Sequence, residues 1–253
     1  VNFNALILAG SRGDVDPVAT YAGVSDKALV EIDGRTMLAR VMDALVMAGA
    51  VRIYVSASSD AVRAHAEALG AIALAAAPGP SASAAQAFAV AGAPLLVTTA
   101  DHALLRPEWI TAFLAGMPQA DVVVMMARRS AIERDAPPSR RTYLRLADGE
   151  WSGCNLFWLA TPAADRALRL WSQVERDRKR PWAIVRRMGL PLLVRYALGR
   201  LTLQQALDAL GRKAGVKPGL VHSPSGLAAI DVDKPSDLDL VRKRLSADSA
   251  FAS

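Results

Sequence analysis

Cysteine is nearly absent from this chain: Cys154 stands alone in 253 residues, alongside three histidines. An internal disulfide is therefore excluded, and the thiol content suits a reducing compartment, so a cytoplasmic protein is expected. No Cys/His cluster exists from which a structural zinc site could be built. Aromatics are also sparse, at 6%. That disfavours single-stranded nucleic acid as a partner, since successive bases need aromatic platforms to stack on. No apolar run reaches the ~18 residues of a membrane-spanning helix. The nearest, 188–199, is short and carries Arg195. The start, Val1-Asn2-Phe3-Asn4, has no basic region or cleavage pattern, so no secretory leader is expected.

What the chain does have is apolar mass. At 52% hydrophobic it can bury a full core as one domain over 1–253. The net charge of +6 is unevenly spread. Between Arg166 and Lys217, thirteen Lys/Arg stand against three acids (Glu175, Asp177 and Asp208), a local +10 that leaves about −4 elsewhere. Such a block is either a set of solvated helical faces or a surface for polyanions or anionic lipid headgroups.

Apolar runs and periodic segments alternate at the spacing of βαβ units. Strands are predicted at 3–9, 28–32, 51–57, 71–76, 94–100, 121–127, 143–147, 154–160 and 227–232. Helices are predicted at 36–48, 59–69, 82–92, 107–116, 162–177 and 235–245. Runs such as Ala5-Leu6-Ile7-Leu8 are apolar at every position, which implies a sheet buried on both faces and an α/β fold. Residues 178–216 read differently, as a basic insertion of short amphipathic helices, the last over 202–211.

The first strand breaks at Gly10-Ser11-Arg12-Gly13, and Asp26-Lys27-Ala28-Leu29 follows further on. A buried strand spilling into a basic, glycine-containing loop offers backbone N–H groups and Arg12 to phosphate oxygens. Lys27 adds a compact cation for the same phosphates. Two carboxylate sites recur at predicted strand ends: Asp101, and Asp231-Val232-Asp233. A phosphate cradle plus separated carboxylates is what Mg²⁺-assisted chemistry on a nucleoside triphosphate requires. Asp101, at a strand's C-terminal end, is the first metal-ligand candidate. Adjacent His102 is a neighbour rather than a ligand, because Mg²⁺ prefers oxygen.

With these motifs in order, the chain resembles the MobA-like nucleotidyltransferases. Leu8-Ala9-Gly10-Ser11-Arg12 and Lys27-Ala28-Leu29 match the family's opening. Asp101 through Pro107-Glu108 matches its mid-chain Asp and helix start, and Asp231-Val232-Asp233-Lys234-Pro235-Ser236-Asp237-Leu238 its closing signature. The second glycine of the family's loop is Ser11 here, and its Arg-Met-Gly is missing. The resemblance implies a Rossmann-like three-layer fold with a mostly parallel mixed sheet, and transfer of NMP from an NTP to a phosphorylated acceptor with release of pyrophosphate. It implies Asp233 as second Mg²⁺ ligand, with Asp231 as the alternative, and Lys27 and Arg12 as the catalytic cations. Nucleotide-binding positions are then Leu8, Ala9, Gly10, Ser11, Arg12, Gly13 and Lys27. Ser81 or Ser83 would touch base or sugar, or else would cap the helix that follows. Gly153 and Asn155 would line the acceptor site, with Arg141 holding its phosphate. A lipid-precursor acceptor, with peripheral membrane contact through 178–216, is the reading that uses the basic block. The rivals are a sugar-nucleotide-dependent glycosyltransferase, which usually carries a compact Asp-x-Asp where this chain has Asp101-His102-Ala103, and a non-catalytic module binding anionic lipid or nucleic acid.

Overall fold

The computed structural model describes residues 2–11, 15–137, 141, 143–176 and 189–252. Among these, eight strands build the main sheet: β1 (Phe3–Ala9), β4 (Ala50–Ala57), β5 (Ile72–Ala75), β6 (Leu95–Thr99), β7 (Val122–Arg128), β8 (Leu144–Leu146), β9 (Gly149–Leu159) and β10 (Pro218–His222). Their order is β10-β7-β9-β6-β1-β4-β5, with β8 paired to β9. A two-stranded ribbon, β2 (Glu31–Ile32) and β3 (Arg35–Thr36), stands apart. β1 runs parallel to β4 and β6, β4 to β5, and β10 to β7, whereas β9 runs antiparallel to β6, β7 and β8. The sheet is mixed and mostly parallel, as expected.

Two cores follow from the pleat, because alternate residues of a strand face opposite sides. Ala5 and Ile7 of β1 join one core with α1 (Pro17–Ala22), α2 (Met37–Met47), α3 (Asp60–Ala68), α5 (Pro107–Ala115), α6 (Arg129–Asp135) and α10 (Pro235–Ala252). Leu6 joins the other, with Ala84, Ala87 and Phe88 of α4 (Pro80–Ala91) and Leu168 of α7 (Ala164–Arg176). Helices on both faces of one sheet make three layers. Of the basic block, 178–188 lies outside the described residues. The rest contains α8 (Leu190–Ala197) and α9 (Leu203–Ala214), the latter packed on β10 and α7. No helix among the described residues is long and apolar enough to cross a membrane.

The sequence expectation for 227–232 fails. The segment forms a 3₁₀ turn, Gly226–Ala229, and then runs on without joining a sheet. Gly226 lies so close to α6 that a Cβ there would run into the Ala131 carbonyl. The run is apolar because it is pressed under a helix, and a short buried run reads the same either way. The sheet edge is taken instead by β10, which Pro218-Gly219 disguises as a loop. Proline is tolerated there because an edge strand need not donate on both sides. The predicted strand 28–32 begins as a 3₁₀ turn, Lys27–Leu29, and α1 and α6 are additions. α1 is started by Asp16, whose carboxylate accepts from Val18 N (2.8 Å) and Ala19 N (3.0 Å), with Pro17 behind it.

Candidate active site

Four parallel strands, β1, β4, β5 and β6, end along one edge, where ligands bind in open α/β sheets. Leu8 is in register with Ser56 of β4 and Thr99 of β6, so the three side chains stand in a row on the face covered by α4 and α7. The Ser56 and Thr99 hydroxyls are buried without a hydrogen-bond partner among the described residues. Beyond the strand ends, Gly10, Ser11, Ser58, Ala76 and Asp101 extend this row into a cleft of about 940 Å³. The cleft continues to the loop at 76–80, the first turn of α4, and Ser172 and Glu175 of α7. Ser11 donates its backbone N–H to Ser58 Oγ at 3.0 Å, so the N–H expected for phosphate is engaged by Ser58. Arg12 and Gly13 lie outside the described residues, and Ala9 is the last residue of β1, beside the cleft floor.

The charged end of the cleft gathers residues from three distant parts of the chain. Lys27 Nζ sits 2.6 Å from Asp101 Oδ2 and 3.6 Å from Asp233 Oδ1. Burial works against the ammonium, but Asp101 above all, with Asp233 and Asp16 further off, more than offsets it, so the Lys27 pKa lies above the ordinary lysine value. Asp101 Oδ1 is buried and has no partner among the described residues. Asp101 is further held by its own carbonyl, which accepts from Val232 N at 3.0 Å and so ties the Asp231-Val232-Asp233 segment to β6.

Asp231 and Asp233 divide their work. Asp237 accepts from the backbone N–H of both Asp233 and Lys234 at 3.2 Å, which leaves the Asp233 carboxylate 71% exposed and facing Lys27. The Asp231 side chain is only 25% exposed. It accepts from Asn155 Nδ2 at 3.1 Å and lies 3.5 Å from Arg141 Nη1. Burial, then repulsion from Asp101 and Asp233, pushes its pKa up to about 6 despite Arg141 and Asn155. Arg141 also donates to the Ala229 carbonyl at 3.0 Å. Asn155 reaches Asp231 because β9 bulges against β7 between Val124 and Met126, and Asn155 itself adopts φ 48°, a left-handed conformation that asparagine tolerates. Gly153 is exposed on the same strand, with open space where a Cβ would project.

Neither serine of α4 caps that helix. Its N-cap is Gly79, without a side-chain bond. Ser83 Oγ instead accepts from Ala77 N at 3.0 Å, pinning the loop, and Ser81 donates from both N and Oγ to Glu175. His102 is buried and stacked on Trp109, and burial lowers its pKa to about 4, so the ring is neutral. Ser56, Ser58, Thr99, Ser172 and Glu175 were not anticipated as site residues. For Ser56 and Thr99 a signal existed: a hydroxyl close to the end of a mostly apolar strand.

Among the described residues no group of three or more His, Cys, Asp or Glu is arranged to hold a metal ion. The donor chemistry nevertheless fits Mg²⁺. Asp101 has an orphaned buried oxygen, Asp233 shares its lysine, and the Asp231 pKa is raised by burial and then by those two like charges, an opposition that a bound dication would relieve.

A mostly parallel sheet with a cation and carboxylates at its strand ends, opening onto a long cleft, defines an α/β fold of the nucleotidyltransferase type. The chain belongs to the MobA-like NTP transferase domain family, whose profile matches residues 5–223. Among solved structures it is similar to a hypothetical transferase from Thermus thermophilus, at 31% identity and a TM-score of 0.80 over 94% of this chain and 100% of that one. The fold is shared by CMP:2-keto-3-deoxy-manno-octonic acid synthetase complexed with CTP (17% identity, TM-score 0.60, 98% and 100% covered). It is shared also by 2-C-methyl-D-erythritol 4-phosphate cytidylyltransferase, again from Thermus thermophilus (15%, 0.56, 97% and 100%). No curated protein is similar enough in sequence to count as a match.

Proposed function

We propose that the protein transfers NMP from an NTP to a phosphorylated acceptor and releases pyrophosphate. The observation that carries this reading is Lys27, partly buried between Asp101 and Asp233, beside the end of the cleft of about 940 Å³ that Asp101 lines. An acceptor phosphate oxygen attacks the α-phosphorus, a P–O bond forms, and the bond to the β-phosphate bridging oxygen breaks with its electron pair leaving on pyrophosphate. No protein nucleophile is needed. The chain supplies alignment and charge. Lys27 stabilises charge developing on the α-phosphate, and Arg12 is assigned to the β- and γ-phosphates. Asp101 and Asp233 would hold Mg²⁺, with Asp231 beside them. When bound, the ion supplies Lewis-acid charge neutralisation at the phosphates. Asn155 and Arg141 orient Asp231, and the acceptor enters along Gly153 and Asn155.

Pyrophosphate release from an NTP, Mg²⁺ and a panel of sugar and alditol phosphates tests the reaction. Release that depends on one phosphorylated acceptor supports it, and glycosyl transfer from a sugar nucleotide without pyrophosphate release would replace it with the rival reading. The lone reduced cysteine and the NTP substrate support a cytoplasmic reaction.

A membrane-linked acceptor is favoured by one specific observation. On α8 and just after it, Val194, Tyr196 and Leu198 are about half exposed or more, next to Arg195 and Arg200. Apolar side chains among arginines suit the surface of an anionic bilayer. Binding to liposomes containing phosphatidylserine should be measurable at low salt and fall steeply as screening increases. Arg195→Gln with Arg200→Gln should weaken it while leaving NTP affinity unchanged. No binding at low salt would leave a small soluble phosphate as the acceptor.

A further inference from the structure

The end of the cleft far from Lys27 is walled by a carboxylate that phosphate chemistry does not use. Glu175, near the C-terminal end of α7, reaches across to the first turn of α4. Its Oε2 accepts from Ser81 N at 3.2 Å and from Ser81 Oγ in a short contact, and Ser172 Oγ donates to Ser81 Oγ at 2.9 Å, which fixes the hydroxyl. The other oxygen, Oε1, makes no hydrogen bond to a described residue. It lies over Gly79, at a point where a Cβ on residue 79 would stand 2.5 Å from it. Gly79 has φ 101°, outside the range comfortable for other residues, so the loop bends in a way that gives this oxygen its space. The carboxylate is thus held at one end and free at the other, in a wall of the cleft.

The cleft has two chemically different ends. Asp101 and the Gly10–Ser11 turn line one end, with Lys27 just beyond and bonded to Asp101, and suit it to phosphates and a cation. The other end, formed by Ala77, Pro78, Gly79 and Ser81 with Glu175, has apolar surface and a single anion, and no cation among its described lining residues. With phosphates at the first end, the nucleoside must lie toward the second. A carboxylate oxygen accepts hydrogen bonds and repels carbonyl oxygens, so it can distinguish bases by their edges. Cytosine and adenine present an exocyclic amino donor on the pairing edge. Guanine presents one beside a ring N–H. Uracil has one ring N–H flanked by two carbonyls.

We propose that Glu175 selects the base, its Oε1 accepting from an exocyclic amino group, so that amino-bearing nucleotides bind in preference to UTP. The inference rests on the nucleotide reading above and deepens it. It needs no movement of α7, since Ser81 already holds the carboxylate in place. The selectivity is the kind a fixed, half-buried acceptor imposes: the analogue lacking the amino donor leaves that acceptor poorly paired and sets like partial charges together.

The test is calorimetric binding in Mg²⁺ with matched pairs: CTP against UTP, which differ in the exocyclic amino or carbonyl group and in the proton on the adjacent ring nitrogen, and ATP and GTP against ITP, which has no amino group. The amino-bearing member should bind at least about tenfold more tightly in whichever ring size is accepted, in line with one lost buried hydrogen bond. Glu175→Gln should bring the ratio to unity or below, because the Ser81 N–H holds the amide oxygen and leaves the N–H₂ toward the base, where it pairs with a carbonyl. Glu175→Ala should bring it toward unity by weakening the amino-bearing member alone. Equal binding of both members by the natural protein overturns the inference and leaves nucleotide binding standing, as does a preference that survives both substitutions. Equal weakening of every NTP in the variants also overturns it, since Glu175 would then serve only to hold α4. Failure of all five nucleotides to bind overturns the nucleotide reading and this inference together.

Discussion

In the proposed reaction the chemistry depends on the Lys27–Asp101 pair, and near-isosteric changes there separate charge from packing. Asp101→Asn keeps the shape of the side chain but removes the charge that would hold a dication and that now pairs with Lys27. Turnover should drop by roughly 10²–10³-fold with little change in fold, and near-normal pyrophosphate release would end the assignment. Lys27→Met should lower kcat by on the order of 10²-fold, measured with saturating NTP, if its charge acts at the reacting phosphate. Wild-type kinetics would reduce Lys27 to a counter-ion for Asp101. Cys154 offers a contrast, being chemically silent. Burial pushes its thiol up to about 12 from the ordinary 9.0, so at pH 8 the native protein should hold roughly 10³-fold less thiolate than an ordinary cysteine. Alkylation by iodoacetamide should be slow until denaturant is added. Fast labelling of the native protein would show that β9 opens easily.

The elements carrying the site residues explain what a reader of the sequence could and could not see. Asp101 was legible because it follows an apolar run that ends at the sheet's C-terminal edge, and Lys27 because a cation stands directly before apolar residues, although those residues form a 3₁₀ turn and a separate ribbon rather than a strand of the main sheet. Their pairing across 74 residues was not anticipated, because nothing in the local pattern brings the two together. Asp231 and Asp233 were legible as acids, but the strand drawn before them was wrong. A run pressed under α6 and a run paired in a sheet have the same apolar composition. Asn155 was found as an amide near a glycine, whereas the bulge that turns it toward Asp231 depends on pairing with β7 and leaves no local mark. Glu175 was counted only as one acid in a basic block, because its role exists only once α7 lies against α4. Gly226 is the corresponding structural test. Gly226→Ala forces a methyl into the α6 backbone, so it should destabilise by about 1–3 kcal/mol or more and disturb the segment leading to Asp231. A thermal melt within a degree of the natural protein would show that the 3₁₀ turn sits only loosely against α6.

For the molecule as a whole, the central claim is that the cleft along the β1, β4, β5 and β6 ends is an NTP site completed by a divalent cation through Asp101. The basic block, α8 and the base-selecting wall all modify that site and presuppose it. A ligand that binds only the folded chain raises its melting temperature according to affinity and concentration, so occupancy can be read without knowing the acceptor. The most direct measurement is titration calorimetry of the four common NTPs against the natural protein and Asp101→Asn, each with Mg²⁺ and with EDTA. The account predicts that at least one NTP binds the natural protein in Mg²⁺, and that either EDTA or the substitution weakens that binding by about tenfold or more, roughly 1.4 kcal/mol. It also predicts that the two losses do not add, because both remove the same ion. Binding of no NTP, or binding indifferent to both EDTA and Asp101→Asn, would contradict it.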